Sequence, residues 1–155
     1  MNSVFSSRVI IEETNFDKAR KRIRENKGKE IIFTSQDDEL NRKILEKENI
    51  NILLLRQIER KDRPKQRESG FNSVMAKVAK KKGVKIGILL DEILESKGRE
   101  RARILARVEQ NIVLCNKEKI PMKFLTLNQK YSKNEYDLKA LAGVLGMSNN
   151  LVKDL

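Results

Sequence analysis

Five short apolar runs constrain the fold of this chain more than any other feature. They occupy residues 9–11, 31–33, 52–55, 86–90 and 124–127. Each is β-branched or apolar with little alternation, the pattern of strands buried on both faces of a parallel sheet. The first three begin 22 and 21 residues apart, at Val9, Ile31 and Ile52. That step suits a strand followed by one crossover helix.

The segments between the runs read as helices. Asn15 is placed to cap a helix over residues 16–26, with Gly28 just past its end. Asp37 starts a second over 38–48, with Leu40, Ile44 and Leu45 on its inner face. Asn72 caps a third over 73–82, striped by Val74, Met75, Val78 and Ala79 and ended by Gly83. A long helix covers about 99–118, with Ile104, Leu105, Val108, Ile112 and Cys115 on its buried side and Arg99, Arg103 and Arg107 on the opposite one. Pro121 breaks the chain before the last run, and two helices near 137–145 and 149–154 close it. The alternation predicts an α/β fold of parallel strands in one domain over 1–155, with right-handed crossovers. At this level an open doubly wound sheet and a segment of a barrel look alike, and five strands are too few for an eight-stranded barrel.

Chemistry is limited by what is missing. The 155 residues contain no His and one Cys. A Ser-His-Asp triad, a His-based zinc site and a thiolate zinc cluster are therefore excluded, while a carboxylate Mg²⁺ site is not. Asp91 with Glu92, and Glu12 with Glu13, follow strands where α/β proteins place ligands. They read first as helix-starting carboxylates and second as Mg²⁺ ligands. Cys115 reads as core. The single cysteine fits a reducing compartment, and no signal-peptide pattern or apolar run of membrane-spanning length is seen, which makes the cytoplasm the expected location.

Charge is the positive signal. Lys and Arg number 34 against 22 Asp and Glu, and residues 56–82 alone carry 10 basic and 3 acidic groups. Arg56, Arg60, Lys61, Arg63, Lys65 and Arg67 fall in one expected loop, and Lys77, Lys80, Lys81 and Lys82 follow on the next helix. Unbalanced cations at this density repel one another unless a polyanion neutralises them, and nucleic acid is the commonest such partner. No segment joins a basic face to a Trp- or Phe-rich face, so a membrane surface is not expected. The candidate RNA-binding residues are Arg60, Lys61, Arg63, Lys65, Arg67, Lys80, Lys81 and Lys82, with Arg99, Arg103 and Arg107 as a second strip. With two Tyr and no Trp, base stacking is poorly supplied, so recognition of RNA shape and backbone is the better expectation.

One stretch is more specific than its composition. Arg67-Glu68-Ser69-Gly70-Phe71-Asn72 precedes a helix with Met75-Ala76-Lys77 and a strand reading Val84-Lys85-Ile86-Gly87-Ile88. Arg101-Ala102-Arg103-Ile104-Leu105-Ala106, Ile120-Pro121 before the last strand, and a closing segment from Asp137-Leu138 to Gly146-Met147 follow in order. These residues resemble the archaeal ribonuclease P protein component 3 family, most strongly over 60–150; residues 1–55 match only as β/α units. The family has His where this chain has Ser73, and its barrel is longer at the N-terminus by about two β/α units.

The resemblance implies a shortened or incomplete TIM-like barrel. It also implies an RNA-binding subunit that supports the catalytic RNA of ribonuclease P as it removes the 5′ leader from precursor tRNA. In the implied assembly the RNA catalyses, so no catalytic or metal-ligating residue is expected in this chain. Cofactors are absent from the chain and Mg²⁺ serves the holoenzyme RNA. The implied partners are ribonuclease P RNA, precursor tRNA and ribonuclease P protein component 2. A homodimer through the first strand would cover an exposed parallel edge. The alternatives are a metal-dependent phosphoesterase related to TIM-like barrel hydrolases and a general nucleic-acid-binding α/β domain. No Gly-rich phosphate loop supports nucleotide binding.

Overall fold

A computed structural model of the chain describes residues 7–155. Five parallel strands form one sheet in sequential order: β1 (Arg8–Glu12), β2 (Glu30–Thr34), β3 (Ile52–Leu55), β4 (Lys85–Leu89) and β5 (Met122–Leu125). Arg8 pairs with Glu30, Ile32 with Ile52, Ile52 with Lys85 and Ile86 with Met122. The crossovers are α1 (Phe16–Glu25), α2 (Asp38–Lys47), α3 (Ser73–Lys82) and, after β4, the short α4 (Leu90–Glu95) followed by the long α5 (Gly98–Glu118). A single 3-10 turn (Gln129–Tyr131), α6 (Glu135–Val144) and α7 (Asn149–Lys153) complete the described residues.

The caps read from the sequence are in place. The side chains of Asn15, Asp37 and Asn72 accept the amides of Lys18, Leu40 and Met75 at the starts of their helices. Gly83 ends α3 at φ 70°.

Period-two alternation along the strands separates two apolar layers. Ile31, Phe33, Leu53, Leu55, Ile86, Ile88 and Met122 join side chains from every helix from α1 to α7 in the main core. Ile32, Ile52, Leu54, Leu89 and Leu125 form a second cluster to which no helix contributes. All the helices therefore pack on one face. That is the winding of a barrel segment, since same-handed crossovers between consecutive neighbours return each helix to the same side. The doubly wound alternative is ruled out. On the inner face Gly87 leaves room for its neighbours: a Cβ there would meet Leu125 Cδ1 at 2.9 Å, Ile52 Cγ2 at 3.2 Å and Leu54 Cδ1 at 3.2 Å.

Several boundaries differ from the sequence reading. The run at 86–90 is strand only to Leu89, because α4 begins at Leu90. The last strand starts at Met122, directly after Pro121, and ends at Leu125. Beyond it, the Asp91 carboxylate takes the amides of Leu127 (3.0 Å) and Asn128 (2.9 Å) and draws the chain out of the sheet. The closing helix begins two residues before Asp137, capped by Asn134. β1 and β5 each pair on one side only among the described residues. No described helix is long and apolar enough to cross a membrane.

Candidate nucleic-acid interface

In a parallel sheet the loops that follow the strands gather at one rim, and the helices run back toward the other. The loop over residues 56–72 follows β3 and lies on the C-terminal rim. It carries five of the eleven candidate cations singled out from sequence, and its backbone is tied down at several points. Gln57 donates from its amide side chain to the Ser69 carbonyl (2.9 Å), joining the two legs of the loop at their base. The Gln57 backbone amide donates to Glu92 (2.7 Å), which also accepts from the Arg56 guanidinium (2.7 Å). The Arg60 guanidinium forms a two-bond fork with Asp38, both bonds 2.8 Å long. Gly70 sits against that pair at φ 76°, where a Cβ would lie 2.5 Å from the Arg60 guanidinium.

Arg107 is the centre of this arrangement. Only 3% exposed, it donates to Asp62 (3.0 Å), the Gln57 carbonyl (2.9 Å) and the Arg60 carbonyl (3.0 Å). Asp62 Oδ1 also accepts the Glu68 backbone amide at 3.0 Å. The Arg107 hydrogen bond is the main reason the Asp62 carboxyl titrates below the usual carboxylate range, and the Glu68 amide adds to it. Between Asp62 and Glu68 the chain turns back on itself. Arg63 and Gln66 exchange backbone hydrogen bonds of 2.9 and 3.2 Å, which leaves Pro64 and Lys65 at the tip. Gln110 donates to the Arg67 carbonyl (3.1 Å) and to Ser69 Oγ (3.2 Å), fixing the returning leg to α5.

The eleven cations proposed from sequence thus fall into distinct groups. Lys61, Lys65 and Arg67 are exposed and form no ion pair among the described residues. Arg63 is exposed and paired with Glu68 at 2.9 Å. Arg60 and Arg107, their own side chains largely covered, are committed to Asp38 and Asp62. The placement of Arg107 opposite the buried stripe is corrected. Positions 104, 107, 108, 111, 112 and 115 follow the spacing of one helix face, and all six are buried. Arg99 and Arg103 do face solvent, one and two turns along α5 from Arg107 and at the same rim.

Lys80, Lys81 and Lys82 lie elsewhere. They end α3, about 15 Å of helix away from the loop, on the N-terminal rim. Lys82 donates to the carbonyls of Leu45 (2.7 Å) and Glu48 (2.6 Å), closing the end of α2, and burial pulls its pKa down. Lys80 donates to the Lys119 carbonyl at the end of α5 (3.2 Å), and Lys81 is exposed.

The carboxylates at the rim hold neighbouring loops. Asp91 and Glu92 are 6% and 5% exposed; Asp91 orders the chain after β5, and Glu92 binds Arg56 and Gln57. Both stand in the first turn of α4, as expected of helix-starting carboxylates, but neither makes a cap bond there and both clamp neighbouring loops. Among the described residues no group of three or more His, Cys, Asp or Glu is placed to hold a metal ion. Cys115 is buried, and burial pushes its thiol up to about 12. Tyr136 is 87% exposed on α6, away from the loop in sequence.

Sequence reading missed Gln57, Gln110, Asp38 and Asp62 as the groups that shape the loop. Asp62 alone carried a signal, as an acid in the middle of a basic run.

No family model matches the chain. Relatives are nevertheless found. The chain is 27% identical over 143 residues to a ribonuclease P protein component 3 of Methanococcus vannielii, covering 92% of this chain and 57% of that protein. It is 32% identical over 122 residues to the component 3 of Methanocaldococcus jannaschii, covering 77% and 50%. Among solved structures, a chain from a cryo-EM structure of archaeal ribonuclease P with mature tRNA superposes with a TM-score of 0.77 at 28% identity, covering 90% of this chain and 60% of that one. The chain thus spans about half the length of the curated relatives it matches.

Proposed function

We propose, from the premise that this chain is a relative of the archaeal ribonuclease P protein component 3 family, that it is an RNA-binding subunit of ribonuclease P. In this reading it supports the catalytic RNA in removing the 5′ leader from precursor tRNA and contributes no catalytic side chain. The observation that carries the reading is the likeness to a chain of archaeal ribonuclease P, at 28% identity and a TM-score of 0.77. The exposed cations of the 56–72 loop support it from physics. Lys61, Lys65 and Arg67, with Arg99 and Arg103 at the same rim, neutralise phosphates of folded RNA, and the tip lysine is the foremost contact. Lys80 and Lys81 form a separate and secondary contact on the other rim.

Ribonuclease P RNA, precursor tRNA and ribonuclease P protein component 2 are the partners of this reading. Mg²⁺ serves the RNA, and the cytoplasm is the compartment. Self-association through the edge of β1, unpaired among the described residues, belongs to the same proposal: Ile10 on its inner face is 37% exposed. The deciding experiment is reconstitution of precursor-tRNA cleavage from catalytic RNA and component 2, with and without this chain. Stimulation by the chain is the expected result. Cleavage indifferent to the chain, or phosphodiester hydrolysis by the purified protein alone, would reject the reading. Sedimentation of the full chain tests the self-association, which a stable monomer would rule out.

A further inference from the structure

An acidic residue stands at the foot of the most basic segment of the protein, where its charge subtracts from the attraction of that segment for a polyanion. Asp62 is flanked by Lys61 and Arg63, and its charge repels any polyanion approaching the tip. Its Oδ1 atom joins the Glu68 amide to the Arg107 guanidinium, at 3.0 Å each. That one oxygen ties the outgoing leg to the returning leg and both to α5. Gln110 holds the returning leg a second time, at the Arg67 carbonyl. The cations offered to solvent, Lys65 at the tip with Lys61 and Arg67 beside it, are therefore displayed on a short hairpin with both legs anchored.

We propose that Asp62 is a positioning residue for polyanion binding: it strengthens the grip of this loop on RNA, against the sign of its own charge, by fixing the hairpin that presents Lys65. The inference rests on the RNA-binding reading of the loop. The physical cause is entropy. Six residues fixed before binding need not be ordered during it, and each residue ordered carries a conformational penalty. Binding to a loose loop forfeits that advantage although its cations remain the same.

Two substitutions of equal charge separate position from electrostatics. Asp62→Ala removes both the charge and the acceptor. Asp62→Asn removes the charge but keeps an oxygen for Glu68 and Arg107. Binding of the full chain to folded archaeal ribonuclease P RNA is measured by filter retention across a salt titration, alongside Lys65→Ala and Gln110→Ala. Asp62→Ala is expected to bind about tenfold more weakly than Asp62→Asn, with an unchanged salt slope, because no phosphate contact is deleted. Gln110→Ala, which changes no charge on the half-buried face of α5, should shift affinity the same way. It keeps the test open if Asp62→Ala folds poorly. Faster amide exchange at 63–68 in both weak binders is the accompanying sign.

Equal affinity for the two Asp62 variants, both tighter than the parent, would overturn the proposal and leave Asp62 a mere opposing charge. Lys65→Ala reports on the underlying reading: a salt slope shallower by about 0.7–0.9 upholds it, and an unchanged slope and affinity reject the loop as an RNA contact and the positioning role with it.

Discussion

The two rims of the sheet carry the same kind of residue and use it differently. On the N-terminal rim, Lys82 and Lys80 turn inward to the carbonyls that end α2 and α5, where helix dipoles favour positive charge. On the C-terminal rim two arginines, Arg60 and Arg107, are taken up by hydrogen bonds within the protein, and Lys61, Arg63, Lys65 and Arg67 are left to solvent. Arg60 and Arg107 hold a loop whose exposed cations are Lys61, Lys65 and Arg67, with Arg63 exposed but paired with Glu68. The planar five-donor guanidinium suits the first task, bridging carboxylates and backbone carbonyls, while the second falls to lysine and arginine alike. Positive charge written in the sequence is therefore not the same quantity as positive charge available to a ligand.

The largest effect expected from testing this contrast is at Arg107. Arg107→Ala leaves Asp62 and the carbonyls of Gln57 and Arg60 without their donor, and should destabilise the protein by about 3 kcal/mol. Urea denaturation measures it; a loss below about 1 kcal/mol would mean that the loop is not anchored as described. Gly70→Ala comes next. It places a Cβ at positive φ and against the Arg60–Asp38 fork, for a cost of about 2 kcal/mol. Leaving thermal stability intact would contradict the tight packing there.

On the opposite rim the expected changes are smaller and unequal. Lys82→Ala should cost about 1 kcal/mol by uncovering two helix-end carbonyls, while Lys81→Ala should be near neutral. Equal effects would erase the distinction between inward and outward lysines.

The smallest effect is in pH. Asp62 titrates below its ordinary value of 3.8 because Arg107 favours the carboxylate. Its contribution is therefore fully present above that ordinary value and fades as pH falls through the lower folded one. The stability gap between the parent and Asp62→Asn should hold steady from neutral pH to about pH 5 and narrow below about pH 4. A gap that changed between pH 6 and 8 would assign the linkage to another group.

How far the sequence could be read depended on whether a signal was local. The Asn15, Asp37 and Asn72 caps were legible because a cap needs only a side chain and the amides within its first turn. Ser73–Lys82 was bounded correctly by Asn72 and Gly83. The end of β4 was not legible: Leu89 and Leu90 are alike in hydrophobicity, and only the packing of α4 separates them. Arg107 was misjudged because its i,i+4 spacing to Arg103 suggested a charged face. Its equal spacing to Asn111 and proximity to Ile104 placed it on the buried one. Asp62 drew no weight, since its partners lie 6 and 45 residues away.

By itself, the sequence determined the local units: five apolar strands, the helices between them with their caps, and a surplus of cations concentrated after the third strand. Period, capping chemistry and composition act over a few residues, so they survive without knowledge of the rest of the chain. Only the tertiary structure decided that all the helices share one face of the sheet, that Lys80–Lys82 sit a helix length away from the basic loop, and that Arg60 and Arg107 face inward while Lys65 faces out. Those outcomes depend on which distant carboxylates and carbonyls reach each cation, and hydrogen-bond geometry between residues far apart in the chain exists only once the sheet has assembled.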